Sequence, residues 1–434
     1  MSAVARAPVR FVPRSLAASR DLQWGIGIVV VALVLRVAFV LLFGRTKVAF
    51  NDTLFYQLVG MALAHGEGFK FINHQTVHWP PGYAYVLGGV YSIFGTSMRN
   101  ALLLNSVLGA ATTGLVYLVA LRKLGRPVGI VAAIAVALLP GQFLIGDVAL
   151  AESLYIFELV LFIALATLLQ WRARTCILLG IVAGLAALTR GEGFLFPVIV
   201  LAMYWSRDAK RQAFARAAVV AVVMLITVAP WTIRNAVVAH TFIPVATNAS
   251  DTLWSGHNPT ARGGPSYAPH SLLRKAKGPN FEVAEASLLR REAVKWAVHH
   301  PLQEVGLIPL KLMAWSQGDS TLIRVWINAK GQEPMQSTAR SFIGTGADIA
   351  SSSLLVATIL TAILFGKALW RTPLLRGVLA FLALAIPLYG FIYYGNVRYR
   401  VPLEPLMVLA VAPAAVAVWK ARSRLLGSDR EVPT

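Results

Sequence analysis

The sequence predicts an all-α, polytopic integral membrane protein with about ten transmembrane helices. Of its 434 residues, 57% are hydrophobic and only 14% are charged, and the mean hydropathy is +0.65. A soluble globular protein is about 25% charged. The formal charge of +21 comes from short basic clusters between apolar runs, which is typical of loops beside a membrane and not of a nucleic-acid-binding face.

Apolar segments separated by short polar loops define the expected spans. They lie at 23–43, 100–120, 127–144, 150–170, 176–189, 193–206, 217–233, 349–366, 376–394 and 402–419. The glycine-rich stretch 80–95 is about 15 residues long, so we expect a re-entrant or juxtamembrane helix there. The resulting segments are a basic tail at 1–22, a transmembrane domain at 23–420 with outer loops at 44–99 and 234–348, and a second tail at 421–434.

The distribution of basic residues indicates the topology. Short cytoplasmic loops are enriched in Lys and Arg, and the loops 121–126 and 171–175 are basic. Both loops and both termini are cytoplasmic if 80–95 does not cross the membrane. All eight histidines then lie on the outer face or at helix ends beside it. We therefore expect a multi-pass protein of the cell membrane with its polar chemistry outside.

Several kinds of chemistry have no support in the sequence. Cys176 is the only cysteine, so no intramolecular disulfide can form. The chain has no Walker A loop, no dinucleotide-binding fingerprint and no HExxH motif. A cytoplasmic nucleotide site is therefore unsupported, and an activated lipid is the expected energy source for any reaction.

Two polar features follow the first span. Asp52 lies in FNDTLFY, just beyond the bilayer, where it can cap a helix, carry out chemistry, or do both. Pro80 and Pro81 favour a helix after them and an extended chain before them. His78 is thereby held at the helix entrance, either as an ordinary polar contact or as a ligand for phosphate or metal.

Four ionisable residues lie at the start of spans or inside them. Asp147 and Glu152 flank the outer start of one span, where a helix dipole favours acids, and Glu152 is close enough to the apolar run to be partly desolvated. Arg36 and Glu158 lie within spans and are candidates to pair with each other.

Basic residues at the outer ends of spans run against the positive-inside trend. A compensating anion is therefore expected, either a specifically bound lipid phosphate or ordinary headgroups. The residues concerned are Arg99, Arg190, Arg234, Arg398 and Arg400.

Six stretches together match a known pattern. They are FNDTLFYQLVGMALAHGEGF, HWPPGYAYVLGGVYSIFG, RNALLLNSVLGAATTGLVYLVALRKLG, GLAALTRGEGFLFP, APWTIRNAVVAHTFIPVATNASDTLWSGHNP and RYRVPLEPL. Each is weak alone, but collectively they resemble the GT-C membrane glycosyltransferases that use polyprenyl-phosphate sugars. The resemblance is to the broad family 39 group, which includes protein O-mannosyltransferases and the lipid A aminoarabinose transferase.

The resemblance implies a GT-C fold and a hexosyl- or pentosyltransferase. Its donor would be a polyprenyl-phosphate sugar and its acceptor an envelope glycan, lipid or protein hydroxyl. Asp52 is implied as the catalytic position, His78 as part of the donor-phosphate or metal site, and Asp147 or Glu152 as the second acid. The expected pocket residues are Tyr56, Asn248, Trp254, His257 and Asn258.

The chain also departs from the family pattern. Protein O-mannosyltransferases carry an Asp-Glu pair in the first outer loop, where this chain has Asn51-Asp52-Thr53, and the aminoarabinose transferase has an acid before its proline, where this chain has His78-Trp79. The sugar, the acceptor and any divalent metal therefore stay open. The candidate metal ligands are His78 with Asp147 or Glu152.

The implied mechanism is an inverting displacement with Asp52 as general base and outer arginines on the departing phosphate. A multi-pass lipid or sugar transporter or flippase is the first alternative. It predicts ionisable groups along a path through the membrane, whereas this chain gathers them at one face. A non-catalytic envelope-assembly protein is the second alternative, and it predicts that Asp52→Asn leaves function intact.

Overall fold

The computed structural model describes residues 14–44, 51–206, 209–322 and 337–425. The chain is almost entirely helical in these ranges. Its helices are α1 (Arg14–Phe43), α2 (Asn51–Ala64), α3 (Gly82–Phe94), α4 (Met98–Leu124), α5 (Arg126–Leu138), α6 (Pro140–Gly146), α7 (Glu152–Leu168), α8 (Ala173–Thr189), α9 (Phe196–Tyr204), α10 (Lys210–Ala239), α11 (Ala249–Gly256), α12 (His270–Leu273), α13 (Phe281–His299), α14 (Pro301–Ser316), α15 (Ser337–Trp370), α16 (Pro373–Phe391), α17 (Val397–Arg400) and α18 (Glu404–Leu425). Strands β1 (Lys70–Phe71) and β2 (His74–Gln75) form one antiparallel hairpin.

Among the described residues, 6 helices are long and apolar enough to cross a membrane, or up to 7 if a bent pair counts as one span. They are Arg20–Phe43, Met98–Leu124, Lys210–Ala239, Ser341–Trp370, Pro373–Phe391 and Val397–Ser423, and the bent pair is Arg126–Leu138 with Pro140–Gly146. The all-α, polytopic membrane prediction is confirmed, but the count of about ten is not. The apolar segments expected at 150–170, 176–189 and 193–206 form helices of only 17, 17 and 9 residues.

Pro140 accounts for the bend between α5 and α6, which is 48°. Leu139, the residue before it, has φ −59° and ψ 122°, outside the helical region. A proline disfavours helical backbone in the preceding residue and cannot donate to the helix before it. The bend leads the chain to Asp147, which caps the C-terminus of α6.

Glycines allow the membrane helices to approach one another closely. A Cβ atom at Gly180 of α8 would lie 2.4 Å from Cβ of Val223 on α10, and one at Gly184 would lie 2.4 Å from Cβ of Thr227. Small residues four apart on one helix face are typical of packed membrane helices, because lipid supplies little hydrophobic driving force between them. This pair therefore fixes how α8 lies against α10.

Aromatic packing fixes the first outer segment against α2. Trp79 stacks on Phe55 with ring centroids 4.2 Å apart, and Phe71 lies 5.4 Å from the same ring. The backbone N–H of Thr247 donates to the carbonyl of Val77 at 3.0 Å, joining this segment to the chain before α11. As expected, a helix follows the proline pair: α3 has 13 residues and is not among the candidate spans. Its re-entrant position and the proposed domain boundaries stay predictions.

The glycine contacts give a stability prediction. We expect Gly180→Leu to lower the midpoint of thermal unfolding in detergent, because the leucine must displace Val223; overpacking costs about 1–3 kcal/mol. Gly89→Leu on α3 is the matched control, since a Cβ atom there meets nothing within 4 Å. Equal midpoints for the two variants would contradict the described contact between α8 and α10.

Candidate active site

The side chain of Arg398 joins two acids that are far apart in the sequence. Its Nη2 atom lies 3.0 Å from Oδ2 of Asp52 and 2.8 Å from Oε1 of Glu152, and its Nε atom donates to the same Glu152 oxygen at 2.9 Å. Arg398 lies in α17, a single turn, and its own backbone N–H donates to the side chain of the capping residue Asn396. Asp52 is in the first turn of α2 and Glu152 in the first turn of α7.

Glu152 is shared by a second guanidinium. Nη1 of Arg190 lies 2.8 Å from Oε1 of Glu152, whose side chain is 1% exposed. Arg190 caps the C-terminus of α8, and its Nη2 atom also lies 3.2 Å from Glu192. The hydroxyl of Tyr389 donates to the same Glu192 oxygen at 3.0 Å. A carboxylate almost removed from water thus holds two guanidiniums side by side, which we call the arginine pair (Arg190 and Arg398).

Aromatic side chains surround the arginine pair. The guanidinium carbon of Arg190 lies 5.4 Å from the ring centroid of Tyr399, within cation–π range. Tyr56 is buried beside Asp52 and packs edge-on against Tyr83 at 5.2 Å. Burial, followed by the charges of Asp52 and Glu152, raises the pKa of Tyr56 far above its usual value. Tyr56 is therefore a neutral hydroxyl and not a base.

A histidine and an acid form a second polar group near Asp52. Nε2 of His78 lies 3.2 Å from Oδ2 of Asp251, and Nδ1 lies 3.2 Å from the hydroxyl of Thr247. Burial raises the pKa of Asp251 to about 7, with smaller contributions from Glu285 and Asp52. Burial also lowers the pKa of His78, against the opposing charges of Glu282 and Asp52. The negative charge of Asp52 acts to raise the pKa of both His78 and Asp251. The pair His78–Asp251 therefore faces the same space as Asp52.

Asp251 and Glu192 were missed by sequence reasoning. Asp251 lies in the first turn of α11, where an acid is ordinarily explained by the helix dipole. Asp251 and His78 are far apart in the sequence, so the sequence did not indicate that they are in contact. Glu192 follows Arg190 in TRGEG, and the alternation of basic and acidic residues in that motif was the available signal.

The structure separates the two candidates for the second acid. Glu152 lies in the cluster with Asp52. Asp147 is buried and lines a small interior cavity that Arg36 and Asn105 also line. Arg36 and Glu158 do not pair, contrary to expectation. Arg36 donates to the carbonyl of Gln142 at 2.9 Å, and Glu158 accepts from Thr189 at 3.1 Å.

The other outer arginines have different surroundings. Arg400 is 1% exposed, pairs closely with the buried Asp319, and lies 3.9 Å from Glu404. Arg234 donates to the backbone carbonyl of Thr76 at 2.6 Å and so holds the hairpin segment. Arg99 is exposed in the first turn of α4. The structure therefore brings Arg398 to Asp52, holds Arg190 beside Arg398 on Glu152, and gives Arg234 and Arg400 protein partners elsewhere.

The expected pocket residues of the long outer segment form much of its own framework. His257 contacts Glu304 at 2.6 Å and the carbonyl of Ile392 at 2.9 Å. Asn258 donates to the carbonyl of Trp254 at 2.8 Å, and Trp254 is buried with Leu289 in one cluster. Asn248 contributes its backbone N–H, which donates to the carbonyl of His78 at 3.0 Å.

The donor atoms near Asp52 do not fit a metal ion. The carboxylate oxygens that face the centre contact guanidinium groups, and both ring nitrogens of His78 contact Thr247 and Asp251. Across the ranges that the structure describes, no group of three or more His, Cys, Asp or Glu residues is arranged to hold a metal. We therefore derive no step through a metal.

Comparison with known proteins identifies a related family and fold. Residues 78–233 match the family model for dolichyl-phosphate-mannose-protein mannosyltransferase. A search of curated proteins returns no match.

Several solved structures are similar over nearly the whole chain. The archaeal oligosaccharyltransferase AglB from Archaeoglobus fulgidus, in complex with an inhibitory peptide and a dolichol-phosphate, has 15% identity and a TM-score of 0.52 over 95% of this chain and 52% of that chain. The Archaeoglobus fulgidus oligosaccharyltransferase in complex with Zn and sulfate has 18% identity and a TM-score of 0.51 over 91% and 49%. ArnT from Cupriavidus metallidurans bound to undecaprenyl phosphate has 18% identity and a TM-score of 0.46 over 95% and 81%.

The chain spans about half the length of the oligosaccharyltransferases that it matches, 52% for AglB. The likeness to these enzymes shows the GT-C fold, and the family model matches the part of the chain from His78 into α10. The resemblance noted in the sequence is confirmed at that level.

The contacts of Glu152 and Asp52 predict that the two acids contribute unequally to the free energy of unfolding. Glu152→Gln removes the charge that compensates two buried guanidiniums, so we expect it to lower the free energy of unfolding by about 3–5 kcal/mol. Asp52→Asn should cost much less, because the Asp52 side chain is 33% exposed and contacts one guanidinium. Thermal unfolding of the purified variants measures both. A larger loss for Asp52→Asn would contradict the central position of Glu152.

Proposed function

We propose that the protein is a membrane glycosyltransferase that transfers a sugar from a polyprenyl-phosphate-linked donor to a hydroxyl of an envelope glycan, lipid or protein. The observation that carries this proposal is the contact of Arg398 with both Asp52 and Glu152 beside Arg190. It sets a carboxylate next to a buried pair of guanidiniums. The match to mannosyltransferases and the dolichol-phosphate in the similar oligosaccharyltransferase support a lipid-linked donor.

The arginine pair is suited to bind the donor phosphate. A guanidinium presents several N–H donors in a planar fork that matches phosphate oxygens, and such bonds are strong where water is excluded. Arg398 and Arg190 are 17% and 12% exposed, so both are largely buried but still accessible to a ligand. In this proposal Glu152 holds both guanidiniums side by side until the phosphate arrives.

Asp52 is positioned to act as the base. The acceptor oxygen attacks the anomeric carbon of the sugar, a new C–O bond forms, and the bond from that carbon to the phosphate oxygen breaks. The leaving electron pair stays on the polyprenyl phosphate, where the arginine pair stabilises it. The proton of the acceptor hydroxyl passes to the Asp52 carboxylate. A single displacement of this kind inverts the anomeric centre.

We assign the pair His78–Asp251 to the acceptor side. It faces Asp52 from the segment before α3 and from α11, whereas the arginine pair comes from α8 and α17. In this assignment Asp251 orients the imidazole of His78, which hydrogen-bonds the acceptor while Asp52 removes its proton. In this proposal both residues position the acceptor, and the donor phosphate stays with the arginine pair.

The clustering of charge favours an enzyme over a transporter. Asp52, Glu152 and Asp251 lie near one another at the ends of helices, and a transporter needs ionisable groups along a path through the membrane. The same basic loops that define the topology lead us to propose a location in the cell membrane. Both termini would be cytoplasmic and the site would be on the outer face.

Transfer from a lipid-linked donor is the direct test. The purified protein in detergent is mixed with undecaprenyl-phosphate hexoses and pentoses, tritiated in the sugar, and with membranes from cells lacking the protein as acceptor. We expect transfer from one of these donors, and a loss of about 10²–10⁴-fold in Asp52→Asn.

The control and the contradicting outcomes separate the alternatives. Glu67→Gln changes an exposed acid of the same outer segment and should leave transfer unchanged. Full activity of Asp52→Asn would remove Asp52 as base. No transfer from any donor would contradict the enzyme and favour a transporter, since detergent solution has no compartments to cross.

A pH profile tests the role of Asp251. If ionised Asp251 orients His78, transfer rises with pH as the carboxyl loses its proton, by on the order of tenfold per pH unit well below its pKa, and levels off near its pKa of about 7. Asp251→Asn should lower transfer and abolish this rise. Glu282, Glu285 and Asp52 also face the pair, so Glu285→Gln is the control that keeps the rise. An unchanged profile in Asp251→Asn would contradict the assignment.

A further inference from the structure

A long groove runs along α1, between that helix and α5. Its volume is about 790 Å³, and its lining comes from α1, between Arg20 and Leu35, and from α5, at Ile134 and Leu138. The 15-residue separation along α1 corresponds to about 22 Å of helix, most of the roughly 30 Å hydrocarbon thickness of a bilayer. The groove therefore has the length of a lipid chain.

The two ends of the groove differ in chemistry. Arg20, Gln23 and Trp24 line one end, and the rest of the wall is apolar. Tryptophan is enriched at the membrane–water interface, where its ring lies at headgroup level. The groove thus has a polar end at the expected interface and an apolar body within the hydrocarbon, which is the distribution of an amphiphilic ligand.

The charged residues at the polar end of the groove indicate the charge of the headgroup that it would bind. Asp21 is the acid beside the groove, and it pairs closely with Arg126 of α5. Arg20 forms no ion pair with any residue in the described ranges. Arg122 and Lys123 lie in the last turn of α4, directly before α5 begins. An exposed cation at the mouth of an apolar groove is complementary to an anionic headgroup.

Gly27 keeps the middle of the groove open. It lines the groove, and a Cβ atom at this position would meet no atom within 4 Å. Gly25, on the same helix, is in contrast packed closely against α4, since a Cβ atom at Gly25 would lie 2.9 Å from the ring of Tyr117. The space beside Gly27 is therefore not used for packing between α1 and α4.

We propose that this groove binds an anionic glycerophospholipid, with its headgroup at Arg20 and Trp24 and an acyl chain between α1 and α5. In the proposed topology the Arg20 end faces the cytoplasmic leaflet, which is the anionic one. The site is independent of the transfer reaction, because it lies toward the opposite end of α1 from Asp52. Its occupant is a membrane phospholipid and not the donor.

Native mass spectrometry tests this site with phosphatidylglycerol and phosphatidylcholine of identical acyl chains. We expect the purified protein to retain one phosphatidylglycerol and to bind it about fivefold more tightly than phosphatidylcholine. Gly27→Leu should abolish the adduct by filling the groove, and Arg20→Gln should reduce the preference to none.

Matched controls make the result specific. Gly366→Leu places a leucine at another helix position where a Cβ atom meets nothing within 4 Å, and Arg371→Gln removes another exposed arginine. Both should keep the adduct, and thermal unfolding confirms that all four variants are folded. Equal binding of the two lipids, an adduct unchanged in Gly27→Leu, a dimer in place of the adduct, or its displacement by undecaprenyl phosphate would each overturn the proposal.

Discussion

The side chain of Arg398 is the contact on which the candidate site depends. It connects Asp52, at the start of α2, with Glu152, at the start of α7, and so joins the first outer segment to the transmembrane bundle. A buried carboxylate is costly unless it is paired, and a buried guanidinium is costly for the same reason. Glu152 with its two arginines satisfies both requirements, and the remaining exposure of Asp52 leaves that acid available to a ligand. The guanidinium of Arg398 thus lies beside the Asp52 carboxylate, with Arg190 held next to it on Glu152, and the charges of the two sides are only partly compensated.

A second buried ion pair explains how Arg398 is held in place. Arg400 follows it by two residues in the same single-turn helix and pairs with Asp319, which lies beyond α14. Gln142, next to the bend at Pro140, donates to Glu404 at 3.0 Å in the same interior region. The short helix is thus anchored from one side by Arg400 while Arg398 extends toward the site from the other. The two arginines of NVRYRVPLEP therefore have different partners: Arg400 pairs with Asp319, and Arg398 pairs with Asp52 and Glu152.

The sequence was sufficient for the fold class and for part of the site. Composition and apolar run length predict a helical membrane protein, because lipid requires every backbone group to be satisfied within a helix or closed barrel. Asp52, Glu152, Arg190 and Arg398 stood out as ionisable groups at the outer ends of spans, and they do meet. Asp251 could not be found this way, because its contact with His78 joins segments that are far apart in the chain. The different partners of Arg398 and Arg400 could not be predicted either, because the two residues look alike in the sequence. The count of about ten spans is not confirmed, because apolar helices such as α8 and α9 have the hydropathy of full spans but only 17 and 9 residues.

The most direct measurement of the central claim is the position of phosphorus in a structure of the protein bound to a non-transferable polyprenyl-phosphate sugar analogue. The account predicts phosphate oxygens within hydrogen-bonding distance of Arg398 and Arg190, with the anomeric carbon on the side of Asp52. It also predicts that the acceptor-side pair His78–Asp251 stays clear of the phosphate. A phosphate bound away from the arginine pair, with Arg398 still joining Asp52 to Glu152, would contradict it.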